Sequence, residues 1–328
     1  MSFRRHILNR LVTTGLLAAS GLLPVTQARA QEFPSRPIRF VVPFPPGSGT
    51  DTSARYFARK LTEMVGQPVV VDNKPGANGF IAVRAVQSAP ADGYTVFIGS
   101  NSTLAVNVAL FKSLPYDPVA DLAPLTMLMR SPALLIVPGS AGPRTLSDLV
   151  ADARAKPGQL NFGAGSAGYQ LMAEAFNDAA RVQTMHVPFK GASEAVTAVS
   201  AGTVHFAFAE MTSAQELVKS GKLRALAVAS ERRVPSLSSV PTATEAGLPG
   251  FTAYTWVAAM VPVKTPKAET DKLASLMTAI ERMPETREFY ERIGAEVMNG
   301  GPEEMRAFQN SEIQLWKRIA AKAKVEQQ

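Results

Sequence analysis

Four times along this chain, an apolar run of strand length stops at a small polar glycine loop that opens a helical pattern. The runs end near Phe44, Ile98, Phe162 and Pro188. In the first unit, RFVVPFPPGSGTD (Arg39–Asp51), Phe40, Val41 and Val42 form the strand. Gly47, Ser48, Gly49, Thr50 and Asp51 follow, then Ala54, Phe57, Ala58, Leu61 and Val65 recur at helix spacing. Repeated strand–loop–helix units predict an α/β fold, with a mainly parallel sheet covered by helices. In such sheets the loops gather at the carboxyl ends of the strands, where ligands bind. Two of the loops fall in the first third and two in the middle third. On separate domains they can face each other across a cleft.

The first loop feeds a helix N-terminus, where backbone N–H groups lack partners and the helix dipole is positive. Gly and Ser let an anion come close to that backbone. The motif is not a P-loop, because Thr50 stands where the lysine belongs. It is not a dinucleotide fingerprint either, because Ser53 fills the third glycine slot. Two readings stay open: an anion-holding loop, or a tight turn and nothing more.

Further strands are expected at 69–72, 94–98, 134–137, 161–163, 185–188, 204–209 and 223–229. Helices are expected over 80–87 and from a Thr145 cap to Lys156, with Asp148 completing a capping box. The last sixty residues read as mostly helical, with Phe308, Leu315 and Ile319 on one face.

The formal charge of +7 is set largely by the start of the chain. Residues 1–30 hold Arg4, Arg5, Arg10 and Arg29 and no acid, which leaves 30 basic against 27 acidic residues. That balance, with no basic block interleaved with aromatics, is no nucleic-acid footprint. The same thirty residues read as a signal peptide, with arginines first, an apolar stretch from Leu11 to Leu23 and Ala28-Arg29-Ala30 as cleavage site. The apolar stretch is too short to span a bilayer. Sec and twin-arginine export both fit, and either delivers the protein to the periplasm. There is no Cys, so disulfides, thiolate nucleophiles and cysteine metal sites are excluded. A mature chain near 300 residues can be held by its core alone.

An ordered set of segments gives the chain its resemblance: RPIRFVVPFPPGSGTD, GQPVVVDNKPGANG, APADGYTVFIGSNST, LPYDPVADLAPLT, HVPFKGASEAV, GKLRALAVASERR, VPTATEAGLPGF and TPKAETDKL. Together they resemble the Bug-type periplasmic solute receptors of tripartite tricarboxylate transporters. The resemblance implies a type II periplasmic-binding-protein-like fold, two α/β domains around a ligand cleft joined by two crossing strands. It implies a signal peptide at 1–30, one domain at 31–130 plus 254–328, and a second at 131–253. It also implies Venus-flytrap closure on a small organic carboxylate held by loop backbone and hydroxyls, and delivery to membrane permease subunits. No enzyme activity, cofactor or metal is implied, and a monomer is expected. The family usually has Gly where Ser48 stands, often His near Tyr169-Gln170, and often Asp-Asn at Ala209-Glu210.

The ligand-binding candidates are Phe44, Gly47, Ser48, Gly49, Thr50, Asp51, Ser100, Asn101, Ser102, Ser166, Ala167, Gly168, Tyr169, Lys190, Gly191 and Glu210. Phe44 and Tyr169 can stack on a flat acid or merely line a wall. Lys190 either pairs with a ligand carboxylate or bridges at the cleft rim. Asp51 either ligates a metal or favours the helix dipole from the first turn. Trp256 reads as core. Glu210 either faces the cleft, where it would repel a second ligand carboxylate, or points to solvent or caps the helix near Ser213. A Glu210 facing the cleft favours a monocarboxylate, aromatic or amino-bearing, over citrate-like acids. His186 and His205 have no spaced partners for catalysis or metal binding. Ser48, Ser100 and Ser166 lie outside any G-x-S-x-G and read as hydroxyl donors. An exported enzyme acting on an organic acid, and a receptor presenting its ligand to a sensor kinase, remain as alternatives.

Overall fold

A computed structural model describes residues 33–328. The signal peptide and the expected start at Gln31 lie outside the described residues. In chain order the elements begin with β1 (Ile38–Val42), α1 (Gly49–Val65), β2 (Val69–Asn73), α2 (Phe80–Gln87) and β3 (Thr95–Ser100). A π-helical turn, Ser102–Val106, runs into α3 (Asn107–Leu110), and β4 (Leu122–Pro132) and β5 (Leu134–Pro138) follow. The middle of the chain holds α4 (Leu146–Ala155), β6 (Asn161–Ala164), α5 (Ala167–Ala180), β7 (Met185–Pro188), α6 (Ala192–Ser200), β8 (Phe206–Ala209), α7 (Met211–Lys219) and β9 (Leu223–Val228). It ends with β10 (Tyr254–Pro262), α8 (Lys267–Glu281), α9 (Pro284–Arg292), β11 (Glu296–Val297) and α10 (Pro302–Lys322).

These strands make two sheets. The six-stranded sheet has the order β11-β4-β10-β3-β1-β2, and the five-stranded sheet β7-β6-β8-β5-β9. The strand–loop–helix units form the parallel part of each: β1 pairs with β2 and β3, and β6 with β7 and β8. The expectation of mainly parallel sheets needs correction, because both are mixed. β10 runs antiparallel to β3 and β4, and β5 antiparallel to β8 and β9. The cause is the chain path. β4 passes through Ala133 straight into the other sheet, and β10 brings the chain back beside it, pairing Tyr254 with Pro132. At the crossing, Ala133 N–H donates to Ala253 O, Ala253 N–H to Ala229 O and Ala229 N–H to Ala133 O, at 2.8–2.9 Å.

Local chemistry explains where the elements start. Ser48 caps α1 by accepting from Asp51 N–H, and Gly66 ends it at φ 68°, a left-handed conformation that favours glycine. Ala54, Phe57, Ala58 and Leu61 form its buried stripe. The Thr145–Asp148 capping box on α4 forms as the sequence predicts. On α10 the predicted face is displaced: Met305, Gln309, Ile313, Trp316 and Ala320 are buried, while Leu315 is exposed. Gln309 caused the misreading. It is polar, yet it is buried because its side-chain amide donates to Leu104 O and Pro118 O.

Candidate functional site

The carboxyl ends of β1 and β3 in one sheet face those of β6 and β8 in the other, with β10 behind them. Together they enclose a cavity lined by Phe44, Ser48, Thr50, Ser100, Asn101, Ser102, Gly165, Ser166, Tyr169, Ala192, Glu210, Thr255, Trp256 and Val257. Counted by water centres, it measures about 30 Å³, room for about two water molecules.

Three hydrogen bonds join the two walls. Gly49 N–H donates to Glu210 Oε1 at 2.8 Å, Ser102 Oγ to Ser166 Oγ at 3.1 Å, and Gly168 N–H to Ser102 Oγ at 3.1 Å. The loops meet closely enough to require glycine at one point. A Cβ on Gly165 would fall 2.1 Å from the Gly191 carbonyl carbon, inside backbone that cannot yield.

The polar groups here are rich in donors. Asn101 Nδ2 is buried and has no acceptor. The Tyr169 hydroxyl lies beside Glu210 and Thr255 but forms no well-shaped hydrogen bond to either. Burial, reinforced by the neighbouring Glu210 charge, holds that phenol well above its ordinary range, so it stays a neutral O–H donor. Glu210 is 7% exposed, and burial pushes its carboxyl upward against the opposing bond from Gly49. The turn after β3 is tied to itself: Ser100 Oγ accepts from Ser102 N–H, and Thr103 Oγ1 bridges Ser100 N–H and C=O. The π-helical turn begins there, a distortion often found at functional sites.

Of the predicted candidates, Phe44, Ser48, Thr50, Ser100, Asn101, Ser102, Ser166, Tyr169 and Glu210 come together on the cavity wall. Gly47, Gly49, Ala167, Gly168 and Gly191 shape the loops behind it. Asp51 turns away from the cavity and binds Gly47 N–H, Asn73 Nδ2 and Arg55 Nε. Lys190 lies in an outer groove of about 410 Å³ with Phe189 and Pro43, which shares Phe44, Gly165 and Ser166 with the inner cavity. Glu210 neither points to solvent nor caps α7 with its side chain; only its backbone carbonyl and Ser213 meet there. Trp256 is buried as predicted, but it also lines the cavity and donates through Nε1 to Glu312.

The sequence reading missed Gly165, Ala192, Thr255 and Val257. The last two sit on β10, an apolar run of strand length with no glycine loop to mark it. Gly165 and Ala192 adjoin predicted residues and could have been taken from the same loops. His186 stacks on Phe162 with its Nε2 buried and unpartnered, and burial lowers its pKa. His205 Nδ1 meets Asn161. Among the described residues no group of three or more potential ligands could hold a metal ion, and no helix is long and apolar enough to cross a membrane.

The chain is similar to known proteins over most of its length. Residues 53–325 match the model of the tripartite tricarboxylate transporter family receptor. BugT of Bordetella pertussis is 36% identical over 312 residues, covering 92% of this chain and 95% of that one. Among solved structures, R. palustris Rpa4515 with adipate superposes at TM-score 0.87 with 33% identity, covering 90% of this chain and all of its own. MatC of Rhodopseudomonas palustris with bound malate superposes at 0.82 with 30% identity, over 88% of this chain and 99% of its own.

Proposed function

The chain belongs to the tripartite tricarboxylate transporter receptor family, and from that premise we propose that it captures one small organic carboxylate between its two sheets. It hands that ligand, unaltered, to the membrane subunits of such a transporter. The ligand-holding domain pair divides at 31–130 plus 254–328 and 131–253. The protein works as a periplasmic monomer after cleavage near Ala30.

One observation carries the ligand class: a carboxylate already sits at the N-terminus of α1, where Gly49 N–H donates to Glu210 Oε1 at 2.8 Å. The seat therefore has the size and polarity a carboxylate needs. Around it, Ser48, Thr50, Ser100, Asn101, Ser102, Ser166 and Tyr169 supply neutral donors. No arginine lines the cavity among the described residues. Phe44 continues into the outer groove, which accepts the remainder of the ligand with Lys190 at its edge. Adipate and malate, the acids bound by two relatives, are of this class. Two or three charge-assisted bonds at about 1.5–3 kcal/mol each, with some apolar burial, place Kd in the low micromolar range, about −8 kcal/mol.

The test is a thermal-shift panel of organic acids beside their amides and methyl esters. Ligand at about 100 times Kd stabilises the fold by about 2.7 kcal/mol, so an acid that fits raises Tm and its neutral derivatives do not. Equal shifts for acid and fully esterified derivative overturn carboxylate recognition. Mass balance on the bound acid distinguishes a receptor, which returns it intact, from an enzyme, which consumes it.

A further inference from the structure

Glu210 follows β8 of the five-stranded sheet, yet its carboxylate lies against the first residue of α1, which belongs to the six-stranded sheet. Oε1 accepts from Gly49 N–H at 2.8 Å, and Oε2 lies within 2.5 Å of where a Cβ on Gly49 would stand. The carboxylate therefore caps the helix end from across the cleft, in the place an external anion would take. The residue is only 7% exposed, and the space left beside it holds about two waters. The closed cleft cannot seat a second carboxylate on Gly49 while Glu210 remains.

We propose that Glu210 is an internal ligand: its carboxylate occupies the anion seat at the amino end of α1 and latches the two walls of the cleft together, so that an external carboxylate binds by exchange. This rests on the cleft being the carboxylate site. A tethered carboxylate competes at a high effective concentration without any free ligand. It lowers apparent affinity by the fraction of molecules held in the latched state. If that fraction is about nine-tenths, removing the latch tightens binding about tenfold. The advantage is discrimination, since an anion too weak to displace Glu210 does not register as bound.

Two measurements test the latch. The first is small-angle scattering on ligand-free wild type, Glu210→Ala, Glu210→Gln and Gly49→Ala. The amide oxygen of Gln can still accept from Gly49, so wild type and Glu210→Gln should be equally compact. Glu210→Ala removes the acceptor. Gly49→Ala ejects the carboxylate, while the nearest atom to its Cβ outside Glu210 is Met129 Cε at 3.4 Å, an ordinary contact. Both alanine variants should show a larger radius of gyration at an unchanged cooperative melt. Alanine variants as compact as wild type, or a wild type as expanded as they are, overturn the latch.

The second measurement is calorimetric titration with adipate. Glu210→Ala should bind about tenfold tighter than Glu210→Gln, which keeps the latch without the charge, and equal or weaker binding counts against exchange. If adipate binds neither protein, the choice of ligand class is at fault, and the scattering result still decides whether Glu210 holds the cleft closed.

Discussion

Two acidic side chains reach the amino end of α1 from opposite sides, and the fold treats them differently. Asp51 belongs to the helix and is 2% exposed. Its Oδ2 accepts from Gly47 N–H and Arg55 Nε, each at 2.9 Å, and its Oδ1 from Asn73 Nδ2 at 2.8 Å. Asn73 also donates to Phe44 O, and Arg55 Nη2 donates to Asn73 Oδ1. The loop from Phe44 to Gly47 is thereby tied to β2, and both Asp51 oxygens are satisfied. Glu210, coming from the other sheet, has one well-formed bond, and burial raises its pKa. Depth alone does not tell the two apart. The compensated acid is scaffolding; the under-compensated one is held weakly enough for an incoming anion to displace it.

The largest expected effect tests that contrast directly. Asp51→Ala strands the Gly47 N–H and Asn73 amide and leaves Arg55 without its partner. Urea unfolding should show a loss of about 2–4 kcal/mol, from the charge-assisted hydrogen bonds that Asp51 makes, because the half-exposed Arg55 is rehydrated rather than left as a buried charge. Glu210→Ala should change stability by less than about 1 kcal/mol, because the lost bond is offset by relief of a buried charge. Similar losses in the two variants would erase the distinction between scaffold and latch.

A third buried acid sharpens it. Glu281, at the end of α8 and 3% exposed, is not among the residues lining the cleft, and its Oε1 is 2.7 Å from Thr126 Oγ1. The same hydroxyl is 2.7 Å from Gly300 O. One hydroxyl carries one proton and cannot donate to both. A protonated Glu281 resolves the conflict by donating to Thr126, which then donates to Gly300. Burial agrees, pushing this carboxyl up to about 8 against the smaller opposing effects of Thr126 and the Arg282 charge. For an acid whose pKa is higher in the folded state, the stabilisation is complete below the unfolded value near 4.3. It is lost as pH rises through the folded value. Wild type should therefore lose about 3 kcal/mol between pH 5.5 and 8.5 relative to Glu281→Gln, read from urea melts at each pH. A gap between the two proteins that does not change with pH removes Glu281 as the titrating group.

What the sequence could reveal follows the same division between local and distant causes. The loop at Gly47–Asp51 was legible because its chemistry is local: a strand, a Ser48 cap and a helical stripe within about two dozen residues. β7 and α2 were placed to the residue for the same reason. β4 and β10 left no such trace in the strand–helix rhythm. They are paired on both edges and broken by register shifts at Val257/Ala258 and Ala259/Met260, so their apolar runs neither alternate nor end in a glycine loop. Only the family resemblance implied two crossing strands. Asp51 reads as a ligand contact from sequence because nothing nearby in the chain reveals Asn73 as its partner. Glu210 could be placed at the cleft, but its bond to Gly49 spans 161 residues and depends on how two sheets meet.

The smallest expected effect concerns ligand charge rather than stability. Once displaced from Gly49, the Glu210 carboxylate stays within the cleft, because its backbone is fixed at the junction of β8 and α7. A ligand with a second carboxylate then meets a like charge in a partly dehydrated space. At about 8 Å and an intermediate dielectric, that repulsion is about 1 kcal/mol, roughly fivefold in Kd. Glu210→Gln keeps the shape and the acceptor oxygen and removes the charge. Calorimetry with adipate and its monomethyl ester isolates the term, since the two differ in one charge on the same chain. The ratio of adipate to monoester affinity should rise about fivefold in Glu210→Gln. A ratio unchanged from wild type means that the displaced Glu210 swings clear of the ligand's far end. Its influence is then confined to the seat on Gly49, and Lys190 in the outer groove becomes the residue to vary next.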